Sequence, residues 1–107
     1  MDVVIDELVV RQKADAIVAH DDFWAGAMIR RLSARGIRVP DDVAVIGYLN
    51  HYLADWTDPP LTTIDLQHQE VAIHMVSMLE EMASGKTLSL ERRVVTIEPK
   101  LIVRKSA

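Results

Sequence analysis

Three histidines stand where chemistry would be sought first: His20 beside Asp21 and Asp22, His51 after Asn50, and His68 shortly after Asp65. Imidazoles with a nearby carboxylate can hold zinc or work as a general acid and base. The spacing supports neither use, because His68 and His74 miss the i, i+4 interval that puts two ligands on one helix face. No Ser/His/Asp elbow and no glycine-rich phosphate loop is present. Cysteine is absent too, which removes thiolate nucleophiles and disulfides. A metal-dependent enzyme using His20, His51 and His68 is carried only as a third reading. The chain is read as non-enzymatic, with no metal and no cofactor expected.

The elements that position these residues are written most clearly between Gly36 and Tyr48. Gly36 suits the left-handed backbone that ends a helix, Pro40 holds Val39 extended, and Asp41-Asp42 suit a tight polar turn. Val43 to Gly47 then reads as a strand buried on both faces, since small and β-branched apolar residues follow one another without polar alternation. Upstream, Ala16 to Ala19 is a second buried strand. It stops at His20-Asp21-Asp22, where a carboxylate can cap the next helix; Asp22 is assigned to that role, and Asp21 is open to capping or ligand contact. Ala25, Met28, Ile29 and Leu32 follow helical spacing, while Arg30, Arg31, Arg35 and Arg38 are read as a solvated face favoured by the helix dipole. Strand, helix and strand make a βαβ unit, for which a right-handed crossover is expected.

Outside that unit the pattern is looser. Asp2 to Gln12 reads as a helix, Leu49 to Asp58 as a loop with one helical turn, and Leu61 to Leu66 as extended. A second helix places Val71, Met75, Met78, Leu79 and Met82 on one face and stops at Ser84-Gly85. Ile73 and Val76 widen its apolar face beyond one stripe, so it is either sandwiched or left with a patch for a partner. Val94 to Ile97 and Leu101 to Val103 read as short strands split by Pro99. The fold class is therefore α/β, a parallel sheet of four strands with flanking helices.

With 107 residues, half of them hydrophobic and 26% charged, the chain is expected to form one soluble domain at most. A net charge of −4 argues against a grip on nucleic acid, which needs clustered Lys and Arg. No apolar run reaches the length of a membrane span, and the N-terminus lacks the order of a signal peptide, so the cytoplasm is the expected compartment.

Three blocks carry a family resemblance: Ala16 to Ala25, Val-Pro-Asp-Asp-Val-Ala-Val-Ile-Gly-Tyr from 39 to 48, and Pro-Pro-Leu-Thr-Thr-Ile from 59 to 64. In order and spacing they resemble the closing part of the effector domain of LacI/GalR (lactose-repressor) family transcription regulators, from about Ala14 to Arg104. The resemblance implies a Rossmann-like, periplasmic-binding-protein-like fold, with residues 1–107 as the C-terminal portion of an effector-binding and dimerisation domain. It also implies that DNA is contacted only through a separate head, which these residues do not contain.

Ligands of open α/β sheets sit beyond the C-terminal ends of the parallel strands. Carried over position by position, the resemblance places Asp21, Leu49 and Leu66 at an effector cleft, with Phe23 and Trp24 near the helix start. The family usually has Asn-Asp where this chain has Asp21-Asp22, Asp at Leu49, and a polar residue at Leu66. Two hooks for sugar hydroxyls are thus missing, and either the expected effector is less polar than a free sugar at these points or the site has decayed. Taken as residues alone, Trp24 reads as core or interface and the Met-rich helix face as packing. The family's two-fold dimer surface falls here on Met28, Tyr52, Leu53 and Trp56. The function expected is effector binding and dimerisation in a LacI-type regulator; the alternative is a fragment of a sugar-type periplasmic binding protein.

Overall fold

The computed structural model describes residues 1–85, 89 and 93–107. In chain order it contains α1 (Asp2–Ile5) continued by a π-helix (Asp6–Arg11), β1 (Ala16–Val18), α2 (Asp22–Ala34), β2 (Ala44–Tyr48), a 3-10 turn (Tyr52–Asp55), β3 (Thr62–Asp65), α3 (His68–Ala83) and β4 (Lys100–Ile102). Where composition predicts a single domain, the chain divides into two compact units, residues 1–65 with 101–107, and residues 66–100.

The first unit is built on a sheet in the order β1-β2-β3-β4. β1 pairs in parallel with β2, Ile17 beside Val45, and β2 pairs in parallel with β3, Gly47 beside Thr63. The fourth strand departs from the all-parallel expectation. Lys105, just past β4, donates its N–H to the carbonyl of Pro60, just before β3, so the chain runs back along β3 in the opposite direction. Val94 to Ile97, read from sequence as a strand, is irregular; its β-branched residues have no paired neighbour strand among the described residues.

Ile17, Val43, Val45 and Leu61 from the sheet side pack with Ala25, Met28, Ile29 and Leu32 of α2 and with Ile5 of α1. Burying each of these large side chains contributes on the order of 1.5–3 kcal/mol before chain entropy is set against it. α2 ends as its glycine requires: Gly36 has φ +71°, and Ile37 N–H turns back to the Leu32 carbonyl at 3.0 Å.

The arginines after α2 are more than a solvated face. Arg35 bonds Asp6 at 2.7 Å, tying the N-terminal helix to α2, and this bond raises the guanidinium pKa above its ordinary value. Arg38 pins the following turn, its guanidinium donating to the Asp41 and Asp42 carboxylates and its backbone N–H donating to Asp42 as well.

The second unit holds α3, none of whose residues is buried. Val71, His74, Met75 and Met78 face Val94, Val95 and Ile97 across a groove of about 400 Å³. Gln67 precedes the helix in the left-handed conformation and donates its side-chain amide to the Glu98 carbonyl. Among the described residues, no helix is long and apolar enough to cross a membrane.

Candidate functional site

The parallel pairing of β1, β2 and β3 brings the C-terminal ends of three strands to one edge of the first unit. At the end of β1 the two adjacent aspartates divide their work, and the division corrects the sequence assignment. Asp21 is the N-cap of α2: its backbone is extended, and its Oδ1 accepts the Trp24 N–H at 2.7 Å. Its other oxygen lies 3.2 Å from His20 Nε2. Asp22, expected as the cap, is instead fully buried and faces inward.

Asp22 links the three elements of the site. Its Oδ2 accepts the His51 backbone N–H at 2.5 Å, and its Oδ1 accepts the Thr63 hydroxyl at 2.5 Å. The Thr63 oxygen in turn accepts the Asn50 N–H at 3.3 Å, while Leu49 N–H donates to the Ile64 carbonyl at 2.8 Å. Three consecutive backbone donors, at 49, 50 and 51, are therefore all engaged within the protein. This matters because Leu49 and Asn50 both have positive φ, +98° and +47°. Such a conformation at non-glycine residues costs on the order of 1–3 kcal/mol each and persists only where neighbours over-determine it.

Gly47 explains why the end of β2 carries a glycine inside a buried strand. A Cβ there would overlap the Asp22 carboxylate and come within 2.7 Å of the Leu61 side chain. Both neighbours are fully buried.

Asn50 has its amide orientation settled from two sides. Arg104 donates to its Oδ1 at 3.1 Å, and its Nδ2 donates to Asp65 at 3.1 Å. Arg104 also reaches Asp55 at 2.7 Å and the Leu61 carbonyl at 2.9 Å, so one guanidinium braces the loop after β2. Neither Thr63 nor Arg104 was singled out from sequence. The available signal was a pair of adjacent threonines, Thr62 and Thr63, between the apolar residues Leu61 and Ile64: a buried hydroxyl must find a partner.

The side chains left at this edge are largely aromatic and apolar. Phe23 and Trp24 are 55% and 47% exposed, and Leu49 is on the surface. Phe23 meets His51 at 4.6 Å between ring centroids, His51 meets Tyr52 at 4.1 Å, and Tyr52 meets Trp56 at 5.3 Å. Phe23, expected at the cleft, and Tyr52 and Trp56, expected at the dimer surface, are thus joined through His51 in one continuous run of rings. Leu66 is the first residue of the second unit and is half-buried.

Of the residues assigned to a dimer surface, Tyr52 and Trp56 are 64% and 77% exposed and Leu53 is half-buried, but Met28 is 5% exposed. Met28 belongs to the chain's own core because it lies on the α2 face that covers the sheet. Leu53 and Trp56 line a groove of about 460 Å³ with Gly26, Ala27, Ile29 and Arg30. Among the described residues, no group of three or more His, Cys, Asp or Glu side chains is placed to hold a metal ion.

Comparison with known proteins agrees with this architecture. Residues 2–107 match the periplasmic binding protein-like domain. The chain is 37% identical over 99 residues to the HTH-type transcriptional repressor PurR of Photobacterium profundum, an alignment covering 92% of this chain and 29% of that protein. Among solved structures, a LacI family transcriptional regulator from Arthrobacter sp. FB24 in complex with lactose superposes with a TM-score of 0.85 at 31% identity, over 98% of this chain and 40% of that one. The transcriptional regulator CelR in complex with cellobiose gives 0.82 at 33% identity, over 98% of this chain and 32% of that one. The chain thus spans under a third of the length of the curated relative it matches. With the family match running from residue 2 to the last, and the three sequence blocks falling on β1–α2, β2 and β3, the chain belongs to the periplasmic binding protein-like domain family.

Proposed function

We propose that this chain is the effector-binding and dimerisation part of a cytoplasmic LacI-type transcriptional regulator. The observation that carries the reading is the strand-end edge: β1, β2 and β3 end together, and the loops there are braced by Asp22, Thr63 and Arg104. The lactose and cellobiose complexes of its structural neighbours support a small-molecule effector of glycoside size. In such a regulator an effector shifts the balance between arrangements of two DNA-binding heads by binding one arrangement more tightly. DNA contact belongs to the helix-turn-helix head, not to this acidic domain.

The effector is less polar than a free sugar. The backbone N–H groups of 49 to 51 are engaged internally, Asp21 Oδ1 is engaged by the helix cap, and Leu49 and Leu66 carry no hydrogen-bonding group. Phe23 and Trp24 offer aromatic surface instead, alongside Leu49 and what remains of Asp21. A buried sugar hydroxyl without a partner costs on the order of 1–3 kcal/mol, so a ligand presenting few hydroxyls to this edge is favoured. Calorimetric titration with glucose, lactose, cellobiose and a phenyl glucoside tests this. Binding should be at least about tenfold tighter for the phenyl glucoside than for glucose, as one unpaired hydroxyl implies. Micromolar binding of glucose would refute it.

Dimerisation uses Tyr52, Leu53 and Trp56 and the groove beside them; Met28 contributes from beneath by holding α2 in place. A two-fold axis covers one such patch with its own copy. Light scattering at low micromolar concentration should give twice the chain's mass, and a Tyr52→Lys/Trp56→Lys variant should give the single mass. A folded wild-type monomer would remove the proposal.

A further inference from the structure

We propose that Thr63 and Asp22 are positioning residues of the effector edge, acting through the backbone of Leu49, Asn50 and His51 and not by touching ligand. The inference rests on the effector reading above and deepens it. It rests on a relay of hydrogen bonds that links the loop after β2 to α2 through β3. Asn50 N–H donates to the Thr63 oxygen, the Thr63 hydroxyl donates to Asp22 Oδ1, and His51 N–H donates to Asp22 Oδ2. Thr63 and Asp22 are fully buried, so water cannot substitute for either.

The relay grips a segment with a conformational reason to relax. Leu49 and Asn50 both hold positive φ, a region where side chains other than glycine's crowd the backbone. Without the Thr63 hydroxyl, Asn50 N–H loses its acceptor and Asp22 loses one of its two donors. The segment would then sample ordinary negative φ, carrying the Leu49 side chain away from the edge. Asp22 also sits at the first turn of α2, directly before Phe23 and Trp24. The relay therefore sets the strand-end loop and the aromatic start of α2 with respect to each other, and the ligand meets a preformed wall. A preformed wall raises affinity by reducing the ordering required on binding.

The test compares the 107-residue chain with Thr63→Val, which keeps shape and loses the hydroxyl, and Thr63→Ser, which restores it. Ser106→Ala, at the other end of β2 and β3, is a control for general loss of stability. Amide hydrogen exchange at Asn50 and His51 is read against Ile29 in α2. Thr63→Val should raise exchange at Asn50 and His51 by at least about tenfold more than at Ile29, the factor expected for one ordinary hydrogen bond. Thr63→Ser should return it, and Ser106→Ala should leave the ratio unchanged. Titration with phenyl glucoside should show a parallel loss in Thr63→Val and recovery in Thr63→Ser. A rise at Asn50 and His51 no larger than at Ile29, or no recovery in Thr63→Ser, overturns the proposal. So does unchanged phenyl glucoside affinity in Thr63→Val once exchange has risen. If phenyl glucoside does not bind the wild-type chain, the effector reading fails, and exchange alone decides whether the relay holds the segment.

Discussion

Replacing Gly47 by alanine adds one methyl group at the point where β2, β3 and α2 meet. The backbone of Gly47 has no positive φ, so alanine is conformationally acceptable there and the cost is one of space alone. The added carbon overlaps the Asp22 carboxylate and lies 2.7 Å from Leu61 Cδ2, well inside ordinary contact. Leu61 is fully buried and cannot swing into solvent, and overpacking of this kind costs about 1–3 kcal/mol. Moving Asp22 adds to that, since its two short hydrogen bonds to His51 and Thr63 must stretch; weakening one contributes about 1–3 kcal/mol more. The expected total is about 2–6 kcal/mol, a fall in Tm on the order of 10–30 °C for a chain of this size. Thermal or urea unfolding followed by circular dichroism measures it. A second substitution separates the two contacts: Leu61→Ala opens space beside residue 47, so Gly47→Ala in that background should cost less than in the wild type. Should the cost be undiminished, the Asp22 overlap dominates. A Gly47→Ala variant within about 0.5 kcal/mol of wild type, the scatter of ordinary surface changes, would refute the close-packing account altogether.

Ser106→Ala should destabilise the chain by about 2–4 kcal/mol, because the buried hydroxyl accepts from Thr62 N–H at 2.9 Å and donates to the Val45 carbonyl at 2.6 Å, and both would lose their partner; unfolding in urea reads the change. Asp21→Ala should cost about 0.5–2 kcal/mol through loss of the α2 cap, less than Asp22→Ala, and the reverse order in a urea titration would undo the division of roles between the two residues. The Arg38 side-chain and backbone hydrogen bonds hold the Asp42 carboxyl down at about 2, below its ordinary 3.8. A depressed carboxyl contributes stability that is present above its unfolded pKa and lost as pH falls through the folded one. The difference in Tm between wild type and Asp42→Asn should therefore be steady above pH about 4 and shrink toward pH about 2.

The local grammar of the chain was enough for β1, α2 and β2. Buried runs at Ala16 and Val43, helical spacing from Ala25 to Leu32, and a glycine at 36 are short-range signals, and the structure follows them within a residue or two. α3 was equally legible from its spacing, and none of its residues is buried. Val94 to Ile97 failed because strand propensity expresses itself only where a neighbour is available to pair.

Which of two adjacent aspartates would cap and which would be buried could not be read from Asp21-Asp22, since both positions tolerate the same residue. The extended backbone at Asp21 made it the cap, and the first helical turn rotated Asp22 into the sheet. The same holds for the bonds that brace the site. Asp22 meets Thr63 across 41 positions, Arg104 meets Asn50 across 54, and Ser106 meets Val45 across 61. Residue type announces that a buried hydroxyl or carboxylate must find a partner, but the partner is chosen by strand order and register, which bring distant segments within hydrogen-bond reach only after the sheet has formed.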